Sequence, residues 1–150
     1  EQRVFLDGKD VSDNIRTPKA SMMASAVSAK PPVRAFLLDT QRELAKNNDC
    51  LMDGRDIGTV VLPDATVKIY LTASAEDRAM RRYKELKEKG QTAQYKDVYD
   101  DMVQRDYNDM HREIAPLKQA EDAIVADTTG LTFEQSFELL TNIIKKGIEA

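Results

Sequence analysis

The sequence predicts an α/β fold built on a mainly parallel, doubly wound sheet. Short β-type apolar runs at 50–52, 66–71 and 123–126 alternate with longer stretches of helical periodicity, the pattern of strand–helix–strand units. The first and last of these runs lead into Asp53-Gly54 and Asp127-Thr128-Thr129-Gly130. An apolar run closed by Asp reads as a buried parallel strand whose carboxyl end opens onto a ligand crevice. At 150 residues, with 41% hydrophobic and 32% charged, the chain is one domain's worth of ordinary soluble protein.

Taken in order, Val4-Phe5-Leu6 and Lys9-Asp10-Val11 flank Asp7-Gly8, which reads as a hairpin turn. Arg16-Thr17-Pro18 opens a helix through about Ala29, with proline in the first turn, where its missing N–H does no harm. Pro31-Pro32 ends that helix and starts another through Asn47, with the apolar stripe Val33, Phe36, Leu37 and Leu44. After the strand at 50–52 comes the loop Asp53-Gly54-Arg55-Asp56-Ile57-Gly58-Thr59, then the strand from Thr66 to Leu71. Ser74, with Asp77 three residues on, forms an S-x-x-D box that starts a helix to Lys89, stopped by Gly90. The next helix covers Tyr95 to Arg112, and the strand Ala123–Ala126 follows. Thr132 caps a last helix whose face is Phe133, Phe137, Leu140, Ile144 and Ile148.

Composition excludes several chemistries. A net charge of −4 argues against a nucleic-acid-coating protein. No apolar run approaches the ~20 residues of a membrane helix, and the start does not read as a secretory signal. Cys50 is the single cysteine and reads as a core thiol of a cytoplasmic protein. His111 is the single histidine, so neither a His/Cys metal site nor a triad with an alternative base is available. Chemistry must therefore run on Arg, Asp, Lys and bound metal, which points to phosphoryl groups.

Two charged constellations stand out. In the loop 53–59, Arg55 is a rigid fork suited to phosphate, and Asp53 and Asp56 suit Mg²⁺-bound water or a base edge. A polar glycine turn after a strand would carry the same letters. In the helix from Tyr95, residues Val98, Met102, Arg105, Asp109 and Arg112 are spaced 4, 3, 4, 3 and share a stripe that begins apolar and continues charged. Such a stripe points its charges into a cleft, and Arg-Asp-Arg suits a ribose phosphate. The alternative is a solvated Arg105–Asp109 pair worth ~0.3–0.5 kcal/mol. Arg78, Arg81 and Arg82 read as a solvated helix face, with Arg82 bordering the buried side.

These residues resemble the bacterial cytidylate kinase family of nucleoside monophosphate kinases. The resemblance rests on Ile15-Arg16-Thr17-Pro18, Ser25, Pro32-Val33-Arg34, the segment Asp53–Val61, Arg78, Arg81-Arg82, Arg105, Asp109, Arg112, Ile114-Ala115-Pro116-Leu117 and Asp127-Thr128-Thr129, in family order across essentially the whole chain. It implies a three-layer P-loop kinase-like parallel sheet with flanking helices. Residues 1–27 would belong to the CMP-binding insertion, and 28–150 to the rest of the kinase core, including the short lid region. It further implies that Ser25, Arg34 and Asp56 read cytosine, that Arg105 and Asp109 hold the ribose, and that Arg55 and Arg112 hold the phosphate. Asp53 would face the hydration shell of Mg²⁺ bound with ATP, and Arg81 or Arg82 would lie on the ATP side.

One departure is large. None of the six glycines forms the G-x-x-x-x-G-K-[ST] loop that cradles ATP phosphates. The resemblance starts inside the family sequence, so the N-terminal strands, among them the P-loop strand next to 50–52, are expected to be missing. The expectations are a fragment of an enzyme that converts CMP or dCMP with ATP, inactive by itself. Its sheet edges would be satisfied by strand exchange between copies or by a separate N-terminal segment. A non-catalytic pyrimidine-nucleotide-binding or partner-binding descendant is the other reading.

Overall fold

A hairpin, two helices and their corner make up the first of two units, which runs to Cys50; the second begins at Leu51. The structure is a computed structural model and describes residues 3–149. Strands β1 (Phe5–Leu6) and β2 (Lys9–Asp10) pair antiparallel, Phe5 opposite Asp10. Asp7 and Gly8 both have positive φ, 49° and 77°, as a two-residue turn of the primed type requires. Asp10 locks the hairpin base: its Oδ1 accepts from both the Ser12 amide (2.9 Å) and the Ser12 hydroxyl (2.6 Å). Those hydrogen bonds hold the Asp10 carboxyl below the ordinary aspartate range.

Helix α1 (Pro18–Ser28) starts where Thr17 accepts the Ala20 amide at 3.2 Å, with Pro18 at the position where a missing N–H costs nothing. Helix α2 (Pro31–Asn47) follows Lys30, which is extended (ψ 126°) because a residue before proline avoids the helical region. Both helices lie within a residue or two of where their Pro and Asn signals predict.

The second unit carries a two-stranded parallel sheet flanked by helices, an α/β arrangement. Strand β3 (Ile69–Thr72) pairs with β4 (Ile124–Asp127), Ile69 opposite Ile124 and Thr72 opposite Asp127. Helix α3 (Ala75–Glu88) begins at Ser74, whose hydroxyl accepts the Asp77 amide at 3.1 Å, and Gly90 follows its end with φ 70°. Helix α4 (Tyr95–His111) packs on α3, with Tyr83 edge-on to Tyr95 at 6.2 Å. Helix α5 (Phe133–Glu149) opens on a reciprocal cap: Thr132 Oγ1 accepts the Gln135 amide, and the Gln135 side chain accepts the Thr132 amide. The core is built of small residues, Ala73, Ala79 and Ala126, with Val61 and Leu86.

Four expectations fail. Residues 50–52 join no ladder among the described residues, and Leu51 is 83% exposed. A strand exists only through a partner that takes its N–H and C=O groups, and no described segment supplies one. For the same reason Cys50 is exposed, not a core thiol. Strand β3 begins at Ile69, three residues later than Thr66, because β4 pairs only from Ile124 on. Helix positions are right but the burial of their stripes is not: Phe36 on α2, and Phe133, Phe137 and Ile148 on α5, are exposed.

Candidate functional site

The loop after residue 52 is shaped by its glycines and by one π-helical turn. The amides of Val60 and Val61 both donate to the Asp56 carbonyl (2.9 and 3.2 Å), and the turn spans Ile57–Val61. Single π turns break the helical register and cluster at functional sites. Here the turn follows Asp56, whose residue is buried. A Cβ on Gly58 would stand 3.4 Å from the Lys68 stem, and Lys68 Nζ in turn bonds both oxygens of Asp122 (2.8 and 2.6 Å). The pairing draws the Asp122 carboxyl below the ordinary aspartate range.

Helix α4 brings its charged stripe to this loop. Asp109 is buried and its Oδ2 accepts from Arg55 Nε at 2.8 Å. Arg105 Nε stands 3.9 Å from the same oxygen. One turn on, Arg112 Nη2 reaches Asp56 Oδ1 at 3.5 Å, and its Nε donates to the Ala115 carbonyl at 2.6 Å. Ala115 has φ 49°, a conformation most L residues avoid. The Leu117 amide closes the segment back onto the Asp109 carbonyl at 2.7 Å. Two guanidiniums, Arg55 and Arg105, thus meet the buried Asp109 carboxylate, and a third, Arg112, meets the buried Asp56 carboxylate one loop residue from Arg55. The Arg105–Asp109 stripe is not the purely solvated pair: its carboxylate is inside, although the Arg105 side chain is 51% exposed.

The other sequence-predicted residues fall as follows. Asp53 is exposed, with no hydrogen bond or ion pair among the described residues. Ser25 and Arg34 belong to the first unit. Ser25 is exposed on α1, and its carbonyl accepts the Ser28 hydroxyl at 3.0 Å. Arg34 Nη1 lies 3.5 Å from the Ser28 carbonyl, so both residues stand at the α1–α2 corner. Arg81 reaches the carboxyl end of β4: it donates to Thr128 Oγ1 (3.3 Å) and to the Thr128 carbonyl, and pairs with Asp77. Arg82 instead pairs with Glu85 on its own helix at 2.7 Å. The Asp127–Gly130 loop is held by Asp127 Oδ1, which accepts the Thr129 amide (2.9 Å) and hydroxyl (2.6 Å) and is thereby drawn below the ordinary aspartate range. Among the described residues no group of three or more His, Cys, Asp or Glu side chains could hold a metal ion.

A charged loop that follows a short apolar run is closed here by arginines at the end of a helix, and the comparisons give the chain a family. The profile of the cytidylate kinase family matches residues 1–146. The chain belongs to the cytidylate kinase family. It is 54% identical over 147 residues to a cytidylate kinase of Caldicellulosiruptor saccharolyticus, an alignment that takes 98% of this chain and 65% of the relative. The cytidylate kinase of Lactobacillus johnsonii is 51% identical over 97% of this chain and 64% of its own length. That of Thermosipho melanesiensis is 49% identical over 95% and 65%. The chain therefore spans just under two thirds of the length of the curated relatives it matches.

Sequence reasoning missed the Arg78–Asp106 bridge between α3 and α4: it read Arg78 as part of a solvated helix face, whereas the guanidinium binds both oxygens of Asp106. A carboxylate next to Arg105 that lies off the charged stripe was the available signal.

Proposed function

We propose that this chain forms the acceptor-nucleotide part of a cytidylate kinase, the enzyme that transfers the γ-phosphate of ATP to CMP or dCMP. The observation that carries the reading is that the 53–59 loop and the end of α4 meet through two ion-paired groups, Arg55 and Arg105 on Asp109, and Arg112 on Asp56. Arg55 and Arg112 are the phosphate ligands. Each already spends its Nε on the protein, on Asp109 and on Ala115, which fixes the plane of its fork. Asp109 and Arg105 take the ribose, the carboxylate accepting a sugar hydroxyl. Asp56 accepts from the cytosine amino group, with Ser25 and Arg34 as the other base readers. Residues 1–27 then contribute to the CMP-binding insertion and 28–150 to the kinase core. Arg81, moored at the Thr128 loop, and Arg82 lie on the ATP side.

Phosphoryl transfer depends on positioning and on stabilising charge that spreads over the moving phosphate, so guanidiniums held in place are the chain's main contribution. Mg²⁺ bound with ATP neutralises phosphate charge. Asp53, exposed and without a partner among the described residues, fits a hydrated ion that keeps its waters and borrows one carboxylate. The P-loop motif is not among the 150 residues, and the chain by itself is expected to be inactive. The exposed apolar residues Leu71, Ile124 and Val125 of the sheet suit either strand exchange between copies or an N-terminal family segment. A cytoplasmic location goes with the reading. Asp56→Asn tests it: the native chain should bind CMP roughly tenfold better than UMP, and the variant should lose most of that margin, since one charged hydrogen bond carries it. Equal CMP and UMP affinities in the native chain would overturn the assignment of Asp56.

A further inference from the structure

Arg78 is fully engaged. Its Nη1 and Nη2 bind Asp106 Oδ1 and Oδ2 at 3.2 and 2.6 Å, a two-pronged pairing between α3 and α4. Its Nε donates to the carbonyl of Ala73 at 3.0 Å, just past β3. Helix α3 is itself anchored on either side of Arg78, where Asp77 Oδ2 accepts the Gly130 amide at 3.4 Å and, one turn on, Arg81 grips Thr128. The α3 end of the bridge is therefore tied to the sheet, and Asp106 is a point at which that frame grips α4, toward the helix's charged end, while the Tyr95 and Tyr99 hydroxyls meet Glu76 nearer its start.

Asp106 precedes Asp109 by three residues, so it lies about 60° around α4 from the carboxylate that meets Arg55. Arg105 is its immediate neighbour. At a side-chain radius of ~5–6 Å, turning the helix by about 20° moves a side-chain tip by about 2 Å. A shift of that size breaks a 2.8 Å hydrogen bond such as Arg55–Asp109. We propose that the Arg78–Asp106 pair is a positioning device: it fixes the rotation of α4 at which Asp109 captures Arg55, and Arg105 and Arg112 are presented to the acceptor nucleotide. Neither residue touches the nucleotide. A planar fork suits the task, because two parallel bonds fix rotation where a single ammonium contact would not. The inference rests on the proposed nucleotide site for its ligand, but its geometry is testable without one.

The test compares the native chain with Asp106→Asn and Arg78→Lys, following the arginine Nε–H signals by ¹⁵N NMR and CMP affinity by calorimetry. Both variants keep side-chain size close to native, and α3 and α4 still pack, with the Tyr83–Tyr95 pair between them. The Arg55 Nε–H should exchange with water about ten times faster in each variant, and CMP affinity should fall five- to tenfold. Combining Asp106→Asn with Asp109→Asn should weaken CMP binding no further than Asp109→Asn alone, because both act on one contact. Lys96→Ala, which removes the exposed Lys96–Asp100 pair on the same helix, should move neither readout. Arg55 exchange unchanged in both bridge variants overturns the proposal whatever CMP does. If the native chain fails to bind CMP but Arg55 exchange responds, the bridge stands and the nucleotide reading falls. Should Asp106→Asn not fold, Arg78→Lys and Asp106→Glu decide by the same signal.

Discussion

Replacing Asp109 by alanine removes the carboxylate that Arg55 and Arg105 meet, and the structure sets the size of the effect. The Asp109 side chain is 8% exposed and accepts one charge-assisted bond, from Arg55 at 2.8 Å. A bond of that kind contributes about 1.5–3 kcal/mol. The second pairing, with Arg105 at 3.9 Å, is long and half in water, and adds about 0–0.5 kcal/mol. Losing one partner of a fully buried pair costs ~3–5 kcal/mol, but the Arg55 side chain is 39% exposed and rehydrates, so the full penalty does not apply. The expected loss is about 2 kcal/mol. With a urea slope of ~2 kcal/mol/M, the midpoint should fall by about 1 M. The chain has no tryptophan, so far-ultraviolet circular dichroism is the probe. Asp109→Asn, which keeps an acceptor for Arg55, should lose about half as much. A midpoint within 0.2 M of native for the alanine variant (under ~0.4 kcal/mol at that slope) would refute the claim that Asp109 anchors these arginines.

Further outcomes follow from the same geometry. Arg112→Lys removes the Nε donor to Ala115 and the reach to Asp56, so the 112–117 segment should loosen; amide exchange at Leu117 should rise severalfold, and unchanged exchange would show that Ala115 holds its conformation unaided. A Cβ at Gly147 would sit 2.6 Å from Val67 Cγ2, so Gly147→Ala should destabilise by about 1 kcal/mol despite alanine's better helix propensity. A gain in thermal stability would contradict that packing. The Asp127 carboxyl is lowered by its Thr129 hydroxyl and amide bonds. A depressed folded-state pKa contributes stability above the unfolded value of ~3.9 and loses it as pH falls through the folded one. The Thr129 amide signal should therefore report opening of the 127–130 loop only at pH below the ordinary aspartate range, and opening at pH 5–6 would assign the loop's order to something else.

Much of the fold was legible because it is written locally. Thr17-Pro18, Ser74 with Asp77, Gly90, and Thr132 with Gln135 are caps and stops whose partners lie within four residues, and each occurs within a residue or two of its expected place. The strands were less legible because a ladder is a tertiary event. Residues 50–52 have the composition of a strand and lack a described neighbour, so they stay unpaired and Cys50 stays exposed. The Arg105–Asp109–Arg112 stripe was readable from spacing. Its closure by Arg55 and Asp56 was not, because those residues lie 54 and 56 positions from their partners. The Arg78–Asp106 bridge escaped for the same reason, being 28 residues apart and off the stripe.

The central claim is that these paired arginines and carboxylates belong to an acceptor-nucleotide site selective for cytidine monophosphate. It is tested most directly by calorimetric titration of the chain with CMP, with AMP as control. CMP should bind saturably and at least tenfold tighter than AMP, a margin on the order of 1.4 kcal/mol. Equal affinity for the two nucleotides, or no binding of CMP, would contradict it.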